Sequence, residues 1–158
     1  MKQITLEYIR GFFDGEGCIN LTKKNHNRIG GMIFITNTDK TIIDKISNKL
    51  SKLGIKHNIN IVPATLIRKT KYSLFISNVY GCYQFYTKIG TAHPEKEIKF
   101  KKLFKNSIRL KWILRAKKLK PQIIRLRKKG LTYLEIAQKL NITIDVAQDI
   151  GKRFFKSI

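Results

Sequence analysis

The sequence predicts an α+β fold in which helices cover one face of an antiparallel sheet, followed by a small all-helical domain. Over residues 1–118 the hydrophobic pattern alternates between helical and strand periods in the order αββαββα. Residues 119–158 contain only short helical patterns. The chain has 158 residues, of which 42% are hydrophobic, enough for one compact domain and an appendage.

The first half of the chain supplies a helix, two strands and a second helix. An apolar run over residues 5–14 predicts a helix with Thr5 as its N-cap. From Gly17 onwards alternation predicts strands over residues 18–24 and 30–37, joined by a polar turn. Residues 39–54 predict an amphipathic helix that ends at Gly54.

The second half of this domain repeats the strand pair. The stretches HNINIVPATLI (57–67) and KYSLFIS (71–77) predict strands, and residues 79–90 predict a short helix. A long helix is expected from about residue 95 to residue 118, with Pro94 near its start. Its apolar residues recur every four positions, at Phe100, Phe104, Ile108 and Trp112.

The charge points to a polyanionic partner. Lys and Arg total 33 against 10 Asp and Glu, a formal net charge of +23, which suits nucleic acid or an acidic membrane surface. Residues 99–129 contain no acid, so this segment is expected to face phosphates. No apolar run is long enough to span a bilayer and no signal peptide opens the chain, so an intracellular protein without a membrane partner is expected, with Cys18 and Cys82 as reduced thiols.

The C-terminal segment resembles a helix-turn-helix. Pro121 is expected to begin the first of three helices, and Thr132 with Glu135 predicts a capping box. Asn141 fits the tight turn, with residues 132–140 as the first helix of the motif and 143–154 as the recognition helix, capped by Thr143. The candidate base-contacting residues are Asp145, Gln148 and Lys152. The alternative is a helical domain that only packs or binds a dimer partner.

The stretch YIRGFFDGEGCI (8–19) places acids and glycines at the end of the first helix. Gly11 and Gly15 lie four residues apart on one face, so a helix of a second chain could approach at backbone distance. Asp14 and Glu16 lie at a helix C-terminus, where the helix dipole disfavours acids, and a divalent cation would remove that conflict. The alternative is a helix that ends in a glycine turn with incidental acids.

The segment IRGFFDGEG, residues 9–17, resembles the signature of the LAGLIDADG homing endonucleases, and the resemblance covers residues 1 to about 118. It implies that Glu16 and the carbonyl of Gly15 bind catalytic Mg²⁺, with Mn²⁺ or Ca²⁺ as other divalent ions that could bind. It also implies a dimer interface at Gly11, Phe12, Asp14 and Gly15, with Asp14 bracing the helix ends. Arg10 and Glu16 depart from the usual motif residues.

The resemblance further implies a polar residue at the end of the second strand and a basic residue near the start of the long helix. Asn37 and Lys96 match these places as catalytic residues, with Lys99 as second choice for the base. The alternatives are that Asn37 caps a helix or a strand-end turn, and that Lys96 is one surface charge among many.

DNA reading is expected from one face of the strands, as in the family. The residues implied are Asn20, Thr22, Lys24, His26 and Arg28, with phosphate contacts from the turn between strands three and four at Arg68, Lys69 and Lys71. Met32 and Phe34 alternate onto the same face, where they could touch thymine methyl groups unless the register is shifted by one.

These inferences predict a homodimeric, divalent-metal-dependent endonuclease. It would cut both strands of a long, roughly palindromic double-stranded DNA target and leave short 3′ overhangs, as the resemblance implies. Two alternatives stay open: a non-catalytic DNA-binding regulator, and an RNA maturase with intron RNA as its partner.

Overall fold

The structure is a computed structural model that describes residues 4–24, 28–105 and 107–155. His26 lies outside these residues, and the side chains of Lys24 and Arg28 are also outside what is described. The chain forms two compact units, Met1–Ser107 and Ile108–Ile158. The predicted boundary after residue 118 does not coincide with this division, because residue 118 lies within the first helix of the second unit.

The first unit contains four helices and one sheet within its described residues. Thr5 caps the first helix by accepting a hydrogen bond from the Tyr8 amide (3.1 Å). Asp39 does the same for the second helix through the Thr41 amide (2.7 Å). The elements are α1 (Leu6–Glu16), β1 (Gly17–Lys24), β2 (Arg28–Asn37), α2 (Lys40–Lys52), β3 (Asn58–Val62), β4 (Lys71–Ile76), α3 (Val79–Lys88) and α4 (Pro94–Lys105).

The sheet is antiparallel with strand order β1-β2-β4-β3, and it confirms the predicted α+β class. Pairing places Ile19 opposite Ile33, and Ile35 opposite Leu74, all of them 2% exposed or less. These side chains join residues of the helices in one core, among them Ile9, Phe13, Ile43, Ile46, Leu50, Phe85 and Phe100. The alternation predicted for the strands is therefore correct in register.

The opposite face of the sheet, which we call the outer sheet face, carries the alternate residues. Asn20 lies opposite Met32, and Phe34 lies between Cys18 of β1 and Phe75 of β4. The Phe34 and Phe75 rings stack with centroids 6.1 Å apart. The alternative of a register shifted by one is therefore wrong, and Met32 and Phe34 lie on the outer sheet face. Its other members are Thr22, Thr36, Asn58, Asn60, Val62, Lys71 and Ser73.

Two predicted elements are wrong in extent. The long helix expected over residues 95–118 is divided, because α4 ends at Lys105 and a new helix begins at Ile108. A four-residue repeat does not match the 3.6-residue turn, so one straight helix could not keep all four apolar residues on a single buried face. Phe100 of α4 is buried in the core of the first unit, whereas Ile108 begins the next helix and is 71% exposed. The third strand ends at Val62, because Pro63 has no N–H to donate to a ladder.

The second unit consists of α5 (Ile108–Lys128), α6 (Tyr133–Leu140) and α7 (Ile144–Phe155). Its core contains Ile123, Leu126, Ile136, Ala137, Ala147 and Ile150. Pro121 lies inside α5 rather than at the start of a helix, which corrects the prediction. An interior proline costs about 3 kcal/mol of helix stability, and the burial of Ile123 and Leu126 just beyond it favours continuation of the helix.

The connection between α6 and α7 has the predicted local geometry. The capping box is present: the Glu135 amide donates to Thr132 Oγ1 (3.3 Å), and the Thr132 amide donates to Glu135 Oε2 (2.7 Å). Asn141 adopts the left-handed conformation, with φ of 50°, which asparagine tolerates better than most residues. A Cβ on Gly151 would lie 2.6 Å from the Tyr133 ring, so the two helices approach closely there.

None of the helices in the described ranges is long and apolar enough to cross a membrane.

Candidate functional site

The junction between α1 and β1 is set by Gly17. The Gly17 amide donates to the Phe13 carbonyl and ends the helix, and the next residues enter β1 directly. A Cβ at this position would lie 2.2 Å from the Phe13 ring, so only glycine fits without displacing a core side chain. The turn leaves Gly15 and Glu16 exposed at the point where the helix meets the sheet.

Asp14 ties the end of α1 to the loop before α4. Its Oδ2 accepts a hydrogen bond from the Ala92 amide (2.8 Å), and its Oδ1 accepts one from the Thr91 hydroxyl. The same hydroxyl oxygen accepts a hydrogen bond from the His93 amide (3.1 Å). Both carboxylate oxygens of Asp14 are thus engaged within the chain, which is the geometry of a brace.

Lys96 neutralises the same helix end. Its Nζ donates to the carbonyls of Phe13 and Asp14, both at 2.7 Å, and lies 4.9 Å from the centroid of the Phe13 ring. The Phe13 carbonyl also accepts from the Gly17 amide, so Lys96 adds a second donor there and places a cation where the helix dipole favours one. Burial lowers the pKa of Lys96, and the negative charge of Asp14 opposes that shift. Lys96 is therefore tied into the α1 end rather than being an unpaired surface charge, whereas Lys99 is exposed.

Asn37 ends β2 and forms a local turn. Its Oδ1 accepts a hydrogen bond from the Asp39 amide (2.8 Å), just before the residue that caps α2. The strand-end turn, which is the alternative role of Asn37, is therefore present. A catalytic role for Asn37 stays a prediction.

The α1 end carries two exposed residues with oxygen donors, Gly15 and Glu16. Within the described residues, no group of three or more His, Cys, Asp and Glu side chains lies close enough to hold a metal ion. The exposed Glu16 carboxylate and the Gly15 carbonyl are hard oxygen donors of the kind that Mg²⁺ prefers. Because Asp14 is occupied as a brace, one chain offers a single free carboxylate at this place.

One face of α1 is open. Gly11 and Gly15 are exposed, and a Cβ built on either would meet nothing within 4 Å among the described residues. Tyr8, 47% exposed, stacks on Phe12 along the same helix with ring centroids 6.1 Å apart. A glycine inside a helix costs roughly 0.5–1 kcal/mol relative to alanine. The fold of one chain gives no steric reason for that cost at these two positions.

The outer sheet face carries polar side chains alongside the apolar Met32 and Phe34. Asn20 and Thr22 of β1 are exposed. On the central strands the hydroxyls of Thr36 and Ser73 are hydrogen-bonded across the ladder (3.1 Å). Arg68 and Lys69 are exposed beyond β3, whereas Lys71 belongs to β4, where it pairs with Val62. The expectation that Lys71 lies in the turn is therefore wrong.

The three candidate contact residues of α7 occupy one stretch of helix. Lys152 Nζ donates to Gln148 Oε1 (3.1 Å), so these side chains share a face as predicted. Asp145 is exposed in the first turn. Their role in DNA contact stays a prediction.

Sequence reasoning missed the loop that holds Asp14. Thr91 and the Ala92 amide lie 77 and 78 residues beyond Asp14 in the sequence, and no local pattern marks them. Polar contacts of this kind depend on how α3 and α4 pack, so the sequence carries no short-range signal for them.

Comparison with known proteins gives a family. Residues 3–90, more than half of the chain, match the model of the LAGLIDADG-like domain. An uncharacterized protein of Methanocaldococcus jannaschii is 31% identical over 58 residues, which are 37% of this chain and 22% of that protein.

Two solved structures with DNA are also similar. The LAGLIDADG meganuclease I-AabMI bound to uncleaved DNA shares 17% identity at a TM-score of 0.43, over 80% of this chain and 40% of that one. A variant of I-DmoI in complex with its target DNA, with manganese present, shares 24% identity at a TM-score of 0.38, over 52% of this chain and 46% of that one. The chain spans less than half the length of each of these relatives. On the match over residues 3–90, the chain belongs to the LAGLIDADG-like family.

Proposed function

We propose that this protein is a site-specific DNA endonuclease that acts as a homodimer and hydrolyses both strands of a long, roughly palindromic duplex. The observation that carries the proposal is the place of Glu16, an exposed carboxylate at the α1–β1 junction. Glu16 directly follows Gly15 of the open α1 face, and it directly precedes the strand that carries Asn20 and Thr22. Chemistry, assembly and DNA contact therefore converge on one short segment.

Glu16 and the Gly15 carbonyl would hold a divalent cation, with Mg²⁺ as the proposed ion and Mn²⁺ or Ca²⁺ as other ions that fit the same oxygens. Such an ion supplies charge stabilisation and an activated water for phosphodiester hydrolysis. Lys96 holds the carbonyls of Phe13 and Asp14, so it fixes the backbone from which Glu16 projects. We assign Asn37 to positioning water at the scissile phosphate, while its Oδ1 keeps the strand-end turn closed.

A second copy of the chain supplies the missing half of the site. The described residues include one signature helix, α1, with the exposed carboxylate of Glu16 at its end. Crossing two α1 helices at Gly11 and Gly15 would fill the open face and bring two Glu16 carboxylates towards each other. Phe12 and Asp14 would lie at the edge of this contact.

Duplex DNA is the proposed partner of the outer sheet face. Its polar side chains suit base edges, and Arg68, Lys69 and Lys71 suit phosphates. Lys24, His26 and Arg28 are assigned to the same contact from their sequence positions alone. The second unit would add a helix-turn-helix contact through Asp145, Gln148 and Lys152. With a net charge of +23, the affinity should depend strongly on salt.

The test is selection followed by cleavage. The wild-type protein would be used to enrich binders from a randomised duplex library, and the enriched duplexes would be incubated with Mg²⁺ or with EDTA. Double-strand cleavage with Mg²⁺ only is the expected result. Enrichment without cleavage under either condition would favour the non-catalytic regulator, and failure to enrich any duplex, together with binding of a structured intron RNA, would favour the maturase.

A further inference from the structure

We propose that Leu66 and Ile67 form an apolar wedge that enters a base step of the bound duplex. The inference rests on the proposed function, because it takes duplex DNA as the partner. The two residues lie on the segment that joins β3, an edge strand of the sheet, to β4, a central strand. Leu66 is fully exposed and Ile67 is 88% exposed, and neither is packed against the core.

The tip that carries these residues is a closed turn. The Thr65 amide donates to the Arg68 carbonyl (2.9 Å) and the Arg68 amide donates to the Thr65 carbonyl (3.3 Å), so Leu66 and Ile67 are the two corner residues of a tight turn. Neither has a positive φ. Turn corners of this kind ordinarily carry Gly, Asn, Asp, Ser or Pro. Two large aliphatic residues there break a local rule, and they are held outward before any partner binds.

The surroundings of the tip favour a polyanion. Arg68, Lys69 and Lys71 follow the two aliphatic residues within five positions, and no Asp or Glu occurs anywhere in residues 45–94. An apolar protein partner would gain nothing from this uncompensated charge, whereas DNA offers both phosphates for the cations and a stack for the aliphatic side chains. The charge therefore selects duplex DNA as the occupant.

A wedge gives specificity by deformation. Leucine and isoleucine inserted between base pairs unstack one step and kink the duplex, and the cost is lowest at flexible pyrimidine–purine steps such as TA and CA. The target should therefore show a preference for such a step at the tip in each half-site, even where no side chain hydrogen-bonds to a base. Because the turn is already closed by its own hydrogen bonds, little ordering of the chain is needed on binding.

The experiment uses the full chain and a duplex enriched by the wild-type protein from a randomised library, with 2-aminopurine placed at each position in turn. Wild-type binding should raise the fluorescence at one step per half-site. The double variant Leu66→Ser, Ile67→Ser should lose that signal and bind about 10-fold more weakly, equivalent to about 1.4 kcal/mol. Its thermal midpoint should match the wild type, since both side chains are outside the core.

Two matched variants separate the wedge from general contact. Ile61→Ser removes an aliphatic side chain of the same hairpin, 53% exposed but away from the tip, and should keep the fluorescence signal. Arg68→Ala should weaken binding and lower the salt slope by roughly 0.9 per lost phosphate contact while keeping the signal. Replacing the unstacked step by an A-tract should weaken the wild type but not the double variant.

The outcomes are distinct. A wild-type protein that binds and cuts its enriched duplex with no unstacked step, or a double variant that behaves as the wild type, would overturn the wedge and leave the proposed function intact. In that case the tip is free for a protein contact. If no duplex is enriched, the proposed function fails and the wedge fails with it.

Discussion

The end of α1 and the α6–α7 pair both contain side-chain hydrogen bonds, but the bonded residues are far apart in the sequence in the first region and close together in the second. At α1, Asp14 and Lys96 each bond across more than seventy residues of sequence. In the second unit, Thr132 bonds Glu135 three residues away, and Gln148 bonds Lys152 four residues away. The first region is held by tertiary structure and the second by local rules.

Because the bonded residues are far apart in one region and close together in the other, substitutions in the two regions should have different effects. A long-range brace fixes where a carboxylate stands, so disturbing the α1 end should alter chemistry and the stability of the whole first unit. Local caps fix only their own helix, so disturbing them should change the second unit by small amounts. If substitutions in both regions had equal effects, the sequence separation of the bonded residues would not explain how the two regions differ.

The largest expected effect is on chemistry, from Glu16→Gln. The amide keeps the volume but cannot neutralise a divalent cation, so cleavage should fall by at least about a thousandfold, or about 4 kcal/mol of transition-state stabilisation. Binding of the enriched duplex, measured by fluorescence anisotropy, should change little. The matched control is Glu7→Gln, an exposed carboxylate at the other end of the same helix, which should cut normally. Wild-type cleavage by Glu16→Gln would remove Glu16 from the metal site.

The second effect is on assembly, from Gly11→Leu or Gly15→Leu. Each leucine has open space within the chain, so the monomer should fold, but two helices could no longer approach at backbone distance. Sedimentation velocity should show monomers, and cleavage should be lost. Gly17→Leu is the contrast, because its side chain would collide with Phe13 and should unfold the first unit instead. A wild type that is monomeric and fully active would refute the dimer.

The third effect is on stability, from Lys96→Met. Loss of two charge-assisted hydrogen bonds to helix carbonyls should cost about 1.5–3 kcal/mol of unfolding free energy, measured in urea at pH 7. The control Lys99→Met removes an exposed charge of the same helix and should cost under about 0.5 kcal/mol. Equal costs for the two variants would show that Lys96 does not hold the α1 end.

Lys96 also predicts a pH dependence. Burial lowers its pKa below 10.5, so above that lowered pKa the unfolded chain binds this proton more than the folded chain does. Wild-type stability should therefore gain a positive contribution as pH rises towards 10.5, which Lys96→Met lacks. The difference in unfolding free energy between the two proteins should widen over this window.

The same contrast in range explains what the sequence could foretell. The alternation of strand residues between the two sheet faces, the capping box and the Asn141 turn follow from periods and short motifs, and all three are confirmed. Nothing within a few residues of Asp14 points to Thr91, and nothing near Pro121 indicates that burial of Ile123 would carry the helix through it. The four-residue repeat from Phe100 to Trp112 failed because periodicity alone cannot tell one helix from two separated by a break.

The fourth effect is on affinity, from Gln148→Ala combined with Lys152→Ala. If α7 enters a groove, binding should weaken by about 10-fold, or about 1.4 kcal/mol, and the salt slope should fall by roughly 0.9 for one lost phosphate contact. Cleavage at saturating protein should persist, since Glu16 is untouched. Lys139→Ala, an exposed lysine of α6, serves as the control for net charge. An unchanged affinity and slope would leave α7 a packing helix only.

The smallest effect is on the cap itself, from Thr132→Ala. The alanine removes the acceptor for the Glu135 amide, so local stability should fall by about 1 kcal/mol. Hydrogen exchange should show this loss in α6 and no change in α1.

The pKa of Glu135 is lowered first by the hydrogen bond from the Thr132 amide and then by the Thr132 hydroxyl. A lowered carboxyl pKa stabilises the folded state above the unfolded value of 4.5, and that contribution is lost as pH falls through the folded value. In Glu135→Gln, the hydrogen-exchange protection of α6 should therefore depend less on pH below 4.5. Glu95→Gln changes an exposed residue of α4 and should leave that pH dependence unchanged. Exchange in α1 that changes as much as exchange in α6 would show that the cap is not local, and the contrast between the two regions would not hold.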